Sequence, residues 1–250
     1  MFVRPTNPIS HRLARIAFIL ATVGSLIVAV SGPLHRYLGL DIEAAIAVFR
    51  YGFYLTVAGV ALGLATILPA RPGDRRRGSV AAFLAIVIGG AGAWVPLHWF
   101  LQAQHRPAIN DITTDTATPP PLVATVQLRR GAPNPLAYPK ENAALQRAAF
   151  PDIEPVMLAV PPAEAFKRVE RVATALNWEI VARVPADGRL EAIVTSPWFG
   201  FRDDIVVRIR PQGTGSRVDI RSKSRIGDAD LGGNVDRVRA FLALLKSEGY

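Results

Sequence analysis

The residues best placed to do chemistry crowd into one short string near the C-terminus. Arg221, Ser222, Ser224, Arg225, Asp228, Asp230 and Asn234 all fall within Arg221–Asn234, and Arg237 follows one helical turn later. Gly232 and Gly233 fall in the first turn of the helix expected there. Glycine at such a place costs about 1 kcal/mol of helix stability relative to alanine. It also leaves the free backbone N–H groups open to a ligand, where the helix dipole favours an anion. The string is therefore a candidate docking site for an anionic ligand or a partner's carboxylate. It would be built from Arg221, Ser222, Ser224, Arg225, Asp230, Gly232, Gly233, Asn234 and Arg237, with Asp203 and Asp204 in support. A purely structural use competes with it. Asp230 would cap the helix, Asp203 and Asp204 would pair with Arg221 and Arg225, and the glycines would make a tight turn.

Other chemistries fit less well. Asp228 and Asp230 begin like a calcium loop, but the twelfth position is Arg239, where a bidentate Glu is needed. Ser222 and Ser224 lack a base nearby in sequence, because His11, His35, His98 and His105 all precede residue 106. Glu191 with Asp203 or Asp204 has the composition of a hydrolytic carboxylate pair, although strand acids beside arginines more often form ion pairs. Gly213-Thr-Gly215 reads as a hairpin turn, without the strand-to-helix context of a phosphate loop. With no cysteine, disulfides, cysteine-zinc sites, iron–sulfur clusters and thiol nucleophiles are excluded. Trp198, Phe199 and Phe201 form an aromatic loop that reads as core contacts, with a ligand lid or membrane-facing wedge as the alternatives. No catalytic residue, metal or cofactor is expected.

The elements that must position these residues are legible from periodicity. Glu154–Val160 predicts a strand, and Pro162–Leu176 a helix with Phe166, Val169, Ala173 and Leu176 on one face. Asn177 suits a left-handed helix stop. Trp178–Val184, Arg189–Ser196, Asp204–Arg210 and Val218–Ser224 alternate as strands, with turns at Pro185–Gly188 and Gln212–Ser216. In the last two, Ile205, Val207, Ile209, Val218 and Ile220 point inward, and Arg208, Arg210, Asp219, Arg221 and Lys223 point outward. A final helix carries the stripe Val235, Val238, Phe241, Leu242 and Leu245. The order β-α-β-β-β-β-α over 154–250 suits an antiparallel sheet gripped by a long C-terminal helix. Ahead of it, residues 105–153 are rich in proline and predict an extended segment that packs on the domain, with one short helix near Lys140–Ala149.

The opening of the chain has a different solvent. Half of the 250 residues are apolar and the mean hydropathy is +0.24, which is unusual for a soluble protein of this size. Ile16–Leu34, Tyr51–Ala70 and Gly78–Leu97 hold no charged side chain. As helices, each spans roughly 30 Å, the thickness of a bilayer core. Residues 1–104 thus read as a three-helix transmembrane region. Gly59 with Gly63, together with Gly89, Gly90 and Gly92, would permit close helix contact. Trp94, Trp99 and Phe100 fit an interfacial belt. The first run has a basic flank but no Ala-x-Ala site before Pro33, so a retained helix is expected rather than a cleaved signal.

Arginine placement predicts orientation. Arg4, Arg12, Arg15, Arg71, Arg75, Arg76 and Arg77 lie on one side of the runs, against Arg36, Arg50 and Arg106 on the other. The richer side faces the cytoplasm. The N-terminus is expected inside, in a multi-pass arrangement in the inner (plasma) membrane. The C-terminal domain is expected outside, in the periplasm of a cell with an outer membrane. Nucleic acid is not an expected partner: beyond Gln104 there are 20 basic and 17 acidic residues, a weak attraction, and export removes the opportunity.

Four strings, Pro107–Asp115, Phe150-Pro-Asp-Ile153, Gly200-Phe-Arg-Asp-Asp204 and Arg221–Asn234, together resemble the bacterial "domain of unknown function 1499" family over about residues 105–250. Members often carry a similar hydrophobic N-terminal region. The resemblance implies the architecture and no mechanism, since the family has no established activity. The leading functional expectation is a membrane-anchored binding or scaffold domain whose partners are the lipid bilayer and an envelope protein or anionic ligand. The rivals are an envelope enzyme acting on lipid or glycan through the Arg221–Asn234 cluster, and a structural protein assembling through its glycine-bearing helices.

Overall fold

A computed structural model describes residues 8–67, 78–228 and 233–247. The described residues form two compact units. One runs up to Leu101 and includes the four-residue tip Pro197–Gly200; the other comprises Gln102–Ser196 and the chain from Phe201 onward.

The first unit is built on α1 (Pro8–Leu38), α2 (Ile42–Ile67) and α3 (Gly78–His105). Within them His11–Leu38, Ile42–Ile67 and Val80–Gln104 are long and apolar enough to cross a membrane. α2 starts well ahead of its charge-free run because Asp41 caps it: its Oδ1 accepts the backbone N–H of Glu43 at 2.8 Å and of Ala44 at 3.2 Å. Ile16, Ile19, Leu26, Tyr54, Phe83 and Val87 point away from the unit, which suits lipid as their solvent. Small residues let the backbones touch. A Cβ on Gly59 would lie 2.4 Å from the Ala21 amide nitrogen, so only glycine fits against α1 there. Gly63 meets Ala82 and Ala85 of α3, Gly89 meets Val60 and Ala21, and Gly92 meets Ser25, whereas Gly90 faces open space.

The second unit is an antiparallel sheet with helices on one face. Its strands are β1 (Asp111–Thr113), β2 (Val156–Leu158), β3 (Glu179–Val184), β4 (Arg189–Thr195), β5 (Arg202–Gln212) and β6 (Gly215–Ser224), in the order β1-β6-β5-β4-β3, with β2 also pairing on β6. Its helices are α4 (Asn142–Ala149), α5 (Pro162–Ala175) and α6 (Gly233–Ser247). Alternation decides the faces. Leu190, Ala192, Ile205, Val207, Ile209, Val218 and Ile220 pack against Phe166, Val169 and Val172 of α5 and Val235, Val238, Phe241 and Leu245 of α6. Burial of each large side chain contributes about 1.5–3 kcal/mol, and Trp178 stacks on Phe241 at 5.3 Å. Asn177 stops α5 with φ 55°, as its type predicts.

Two differences from the sequence reading concern the outer face. The proline-rich stretch is not merely extended: it supplies the edge strand β1 and a 3-10 turn at Ala124–Arg129. The side chains expected to point outward do leave the helix side, yet Asp219, Arg221 and Lys223 are buried. The stretch between Thr114 and Lys140 lies over them as a strap, replacing water with backbone carbonyls and amides.

Candidate functional site

Period-two alternation along β6 divides the candidate string between the two faces of the sheet. Ser222 and Ser224 turn toward α6, while Arg221 and Lys223 turn toward the strap. Arg225, just past the strand, joins the strap side. Asp230 and Gly232 lie outside the described residues; Gly233 opens α6. Asp228 is exposed.

On the α6 side, Ser222 Oγ donates to Asn234 Oδ1 at 2.7 Å, and Asn234 Nδ2 donates to Ser224 Oγ at 2.8 Å. Arg237 Nη1 reaches Ser222 Oγ and Asn234 Oδ1, each at 2.9 Å, and its Nη2 reaches Asp203 Oδ2 at 2.8 Å. Asn234 and Ser222 are fully buried. This cluster ties the start of α6 to β5 and β6, and a buried polar network with its bonds made fixes one arrangement of the packed elements.

Three of the buried ionic groups on the strap side involve residues singled out in the sequence. In the first, Asp111 receives Arg221 through Nε at 2.9 Å and Nη2 at 2.8 Å, and Lys223 Nζ at 2.8 Å. Arg221 also donates to the carbonyls of Pro120 at 3.2 Å and Leu136 at 2.8 Å. Burial holds the Lys223 ammonium below its ordinary pKa against the opposing pull of Asp111. Burial, reinforced by Asp111, likewise pushes the nearby Tyr138 phenol up to about 12.

In the second group, Asp204 binds Arg225 through Nη2 at 2.7 Å and Nε at 3.1 Å, and also binds Arg129 of the strap. Arg225 Nη1 donates to the Leu128 carbonyl at 2.6 Å. In the third, Glu191 accepts the backbone N–H groups of Val123 at 3.1 Å, Ala124 at 2.9 Å and Thr125 at 3.0 Å, at the start of the 3-10 turn, and pairs with Arg189. Burial alone would raise the Glu191 pKa; the three amides outweigh it and hold the carboxyl below its ordinary value.

Asp203 and Asp204 thus serve different faces. Asp204 takes Arg225 as the structural expectation had it, but Arg221 belongs to Asp111 and Asp203 to Arg237. Glu191 and Asp204 are both buried on the strap side, each held by several cationic or amide donors. No group of three or more His, Cys, Asp or Glu suited to a metal occurs among the described residues. Trp198 and Phe199 pack within the first unit, Trp198 against Trp99 at 5.5 Å and Phe49 at 5.7 Å. The residues that sequence reasoning missed are Asp111 and Arg129. Asp111 was visible within the string Pro107–Asp115; nothing local marks Arg129.

The remaining familiar string also has a structural use. Asp152, in Phe150-Pro-Asp-Ile153, receives Arg239 of α6 at 2.6 and 2.8 Å, and that bond holds its carboxyl below the usual range.

An antiparallel sheet gripped on one face by helices and sealed on the other by an ionic strap defines an α+β protein of helix-grip type. The family model described as "Protein of unknown function (DUF1499)" matches residues 111–245. That is more than half of the chain, which belongs to this family. The match begins at β1 and so includes the strap. No curated protein matches the chain. Among solved structures, the crystal structure of Ara h 8.0201 is 15% identical, with a TM-score of 0.28, covering 38% of this chain and 95% of that one. That of TTHA0849 from Thermus thermophilus is 18% identical, with a TM-score of 0.22, covering 37% and 92%. At such scores neither likeness bears on function.

Proposed function

We propose that the chain is an integral protein of the inner (plasma) membrane, with its N-terminus in the cytoplasm, that displays the sheet domain in the periplasm as a binding or scaffold module. The observation that carries the reading is the placement of arginines around three helices long and apolar enough to cross a bilayer: seven on one side against three on the other. An odd number of crossings puts the two ends on opposite sides. A module rather than an enzyme is favoured because Arg221, Ser222, Ser224, Arg225, Asn234 and Arg237 complete one another's hydrogen bonds or those of buried acids. Groups used in this way hold a shape. The partner is then met by the outer surface of the domain, and is an envelope protein or an anionic ligand.

A reporter that works only in the periplasm, fused after Tyr250, is expected to be active. Activity from a reporter that works only in the cytoplasm at that position would overturn the orientation.

A further inference from the structure

We propose that Arg208, Arg210 and Arg217 form a binding site for a phosphate-type oxyanion beside the β5–β6 hairpin. Arg210 and Arg217 stand directly opposite each other in the antiparallel register, and Arg208 lies two residues back on the same face. Like charges in directly opposed positions destabilise a sheet unless something compensates them. Two carboxylates compensate in part. Asp219, fully buried, binds Arg208 Nη2 at 2.9 Å, Arg210 Nη2 at 3.1 Å and Arg217 at 2.9 and 3.0 Å. Asp115 of the strap takes the same three Nη2 groups at 2.9, 3.3 and 3.2 Å. Three guanidinium groups against two carboxylates leave one positive charge over.

That charge is open to solvent. The Arg210 side chain is 43% exposed and that of Arg217 26%, while Arg208 is 15% exposed and spends Nη1 on the Thr118 carbonyl. Among the described residues, Arg210 Nε and Nη1 and Arg217 Nη1 have no hydrogen-bond partner. Asp115 and Asp219 fix the guanidinium groups through these hydrogen bonds, so a ligand arriving from solvent finds donors already oriented and loses little to ordering them. The remaining single donors, spread over two adjacent strands, match the several oxygens of one phosphate better than a single carboxylate, and phosphate brings the one to two negative charges that the cluster lacks. The inference adds a ligand class to the binding-module reading and rests on it. Titration of the purified chain does not depend on which side of the membrane the domain faces, so the two can fail separately.

The test uses the full chain in maltoside micelles. One arm titrates inorganic phosphate against chloride at matched ionic strength; the other adds short-chain phosphatidic acid against phosphatidylcholine of the same length. Thermal unfolding reports binding through the shift that a ligand specific to the folded state produces. A saturable shift at millimolar phosphate or with phosphatidic acid, about tenfold weaker in Arg210→Gln, is expected. The responding arm names the source of the phosphate group. Arg239→Gln, at the distant pair with Asp152, keeps the shift. If Arg217→Gln does not fold, the half-exposed Arg210→Gln decides alone. A response in neither arm, or one unchanged in Arg210→Gln, overturns the site.

Discussion

Replacing Asp204 by Asn should be among the most damaging single changes in the domain, although it preserves shape. Asp204 is fully buried between Arg129 and Arg225, whose side chains are 3% and 8% exposed. The substitution removes the carboxylate that, among the described residues, those two guanidinium groups share, and leaves two buried cations facing a neutral amide. Arginine cannot shed its proton to escape the cost. Breaking a buried pair by removing one partner costs about 3–5 kcal/mol, against about 5–15 kcal/mol for a whole domain. The strap should open first, because Arg129 belongs to it and Arg225 holds the Leu128 carbonyl. Urea unfolding of the full chain in micelles measures the loss, and amide hydrogen exchange over Ala124–Arg129 locates it. Asp203→Asn is the companion: Arg237 keeps Ser222 and Asn234, so about 1 kcal/mol is expected. A loss below about 1 kcal/mol for Asp204→Asn, or slow exchange retained in the strap, would refute the idea that buried ion pairs clamp it.

Three further outcomes follow from the same geometry. The Glu191 and Asp115 carboxyls are both lowered in the folded protein, so their stabilisation is fully present above their ordinary values of 4.5 and 3.8 and is lost as pH falls through the folded ones. Protection of the strap amides, measured against unstructured amides at the same pH, should therefore fall on acidification within that range, and a loss of protection on a rise from neutral pH would contradict the assignment. Lys223→Met should cost less than about 1 kcal/mol in a urea titration, because Arg221 alone balances Asp111 and a desolvated ammonium is removed; a loss of several kcal/mol would show that the lysine is needed. In the first unit, Gly59→Leu should separate α1 from α2, lowering thermal stability in micelles by about 1–3 kcal/mol. Gly90→Leu, facing open space, should not; equal effects would mean that the close approach is unimportant.

The sheet domain was legible in the sequence because its elements are local and periodic. β5 and β6 alternate strictly, α5 and α6 carry continuous apolar stripes, and Asn177 marks the one non-glycine left-handed position among the described residues. The strap was not legible. Prolines give it no period, and its partners are remote: Arg129 meets Asp204 across 75 positions and Glu191 meets Thr125 across 66. The division of the candidate site was within reach of the sequence, because the alternation that sent Ile220 inward also sends Ser222 and Ser224 with it and Arg221 away. Grouping Arg221–Asn234 by proximity along the chain overrode that rule. The arginine pair at 210 and 217 shows another case: the alternation put Arg210 outside, and only the register placed Arg217 opposite it.

The display of the domain outside the cytoplasm can be tested most directly with the chain's own lack of cysteine, which leaves no labelling background. A single Met157→Cys substitution places a thiol at a 58% exposed position of β2. In intact spheroplasts a membrane-impermeant maleimide should label it without permeabilisation; labelling that appears only after the membrane is opened would place the domain in the cytoplasm and contradict the account.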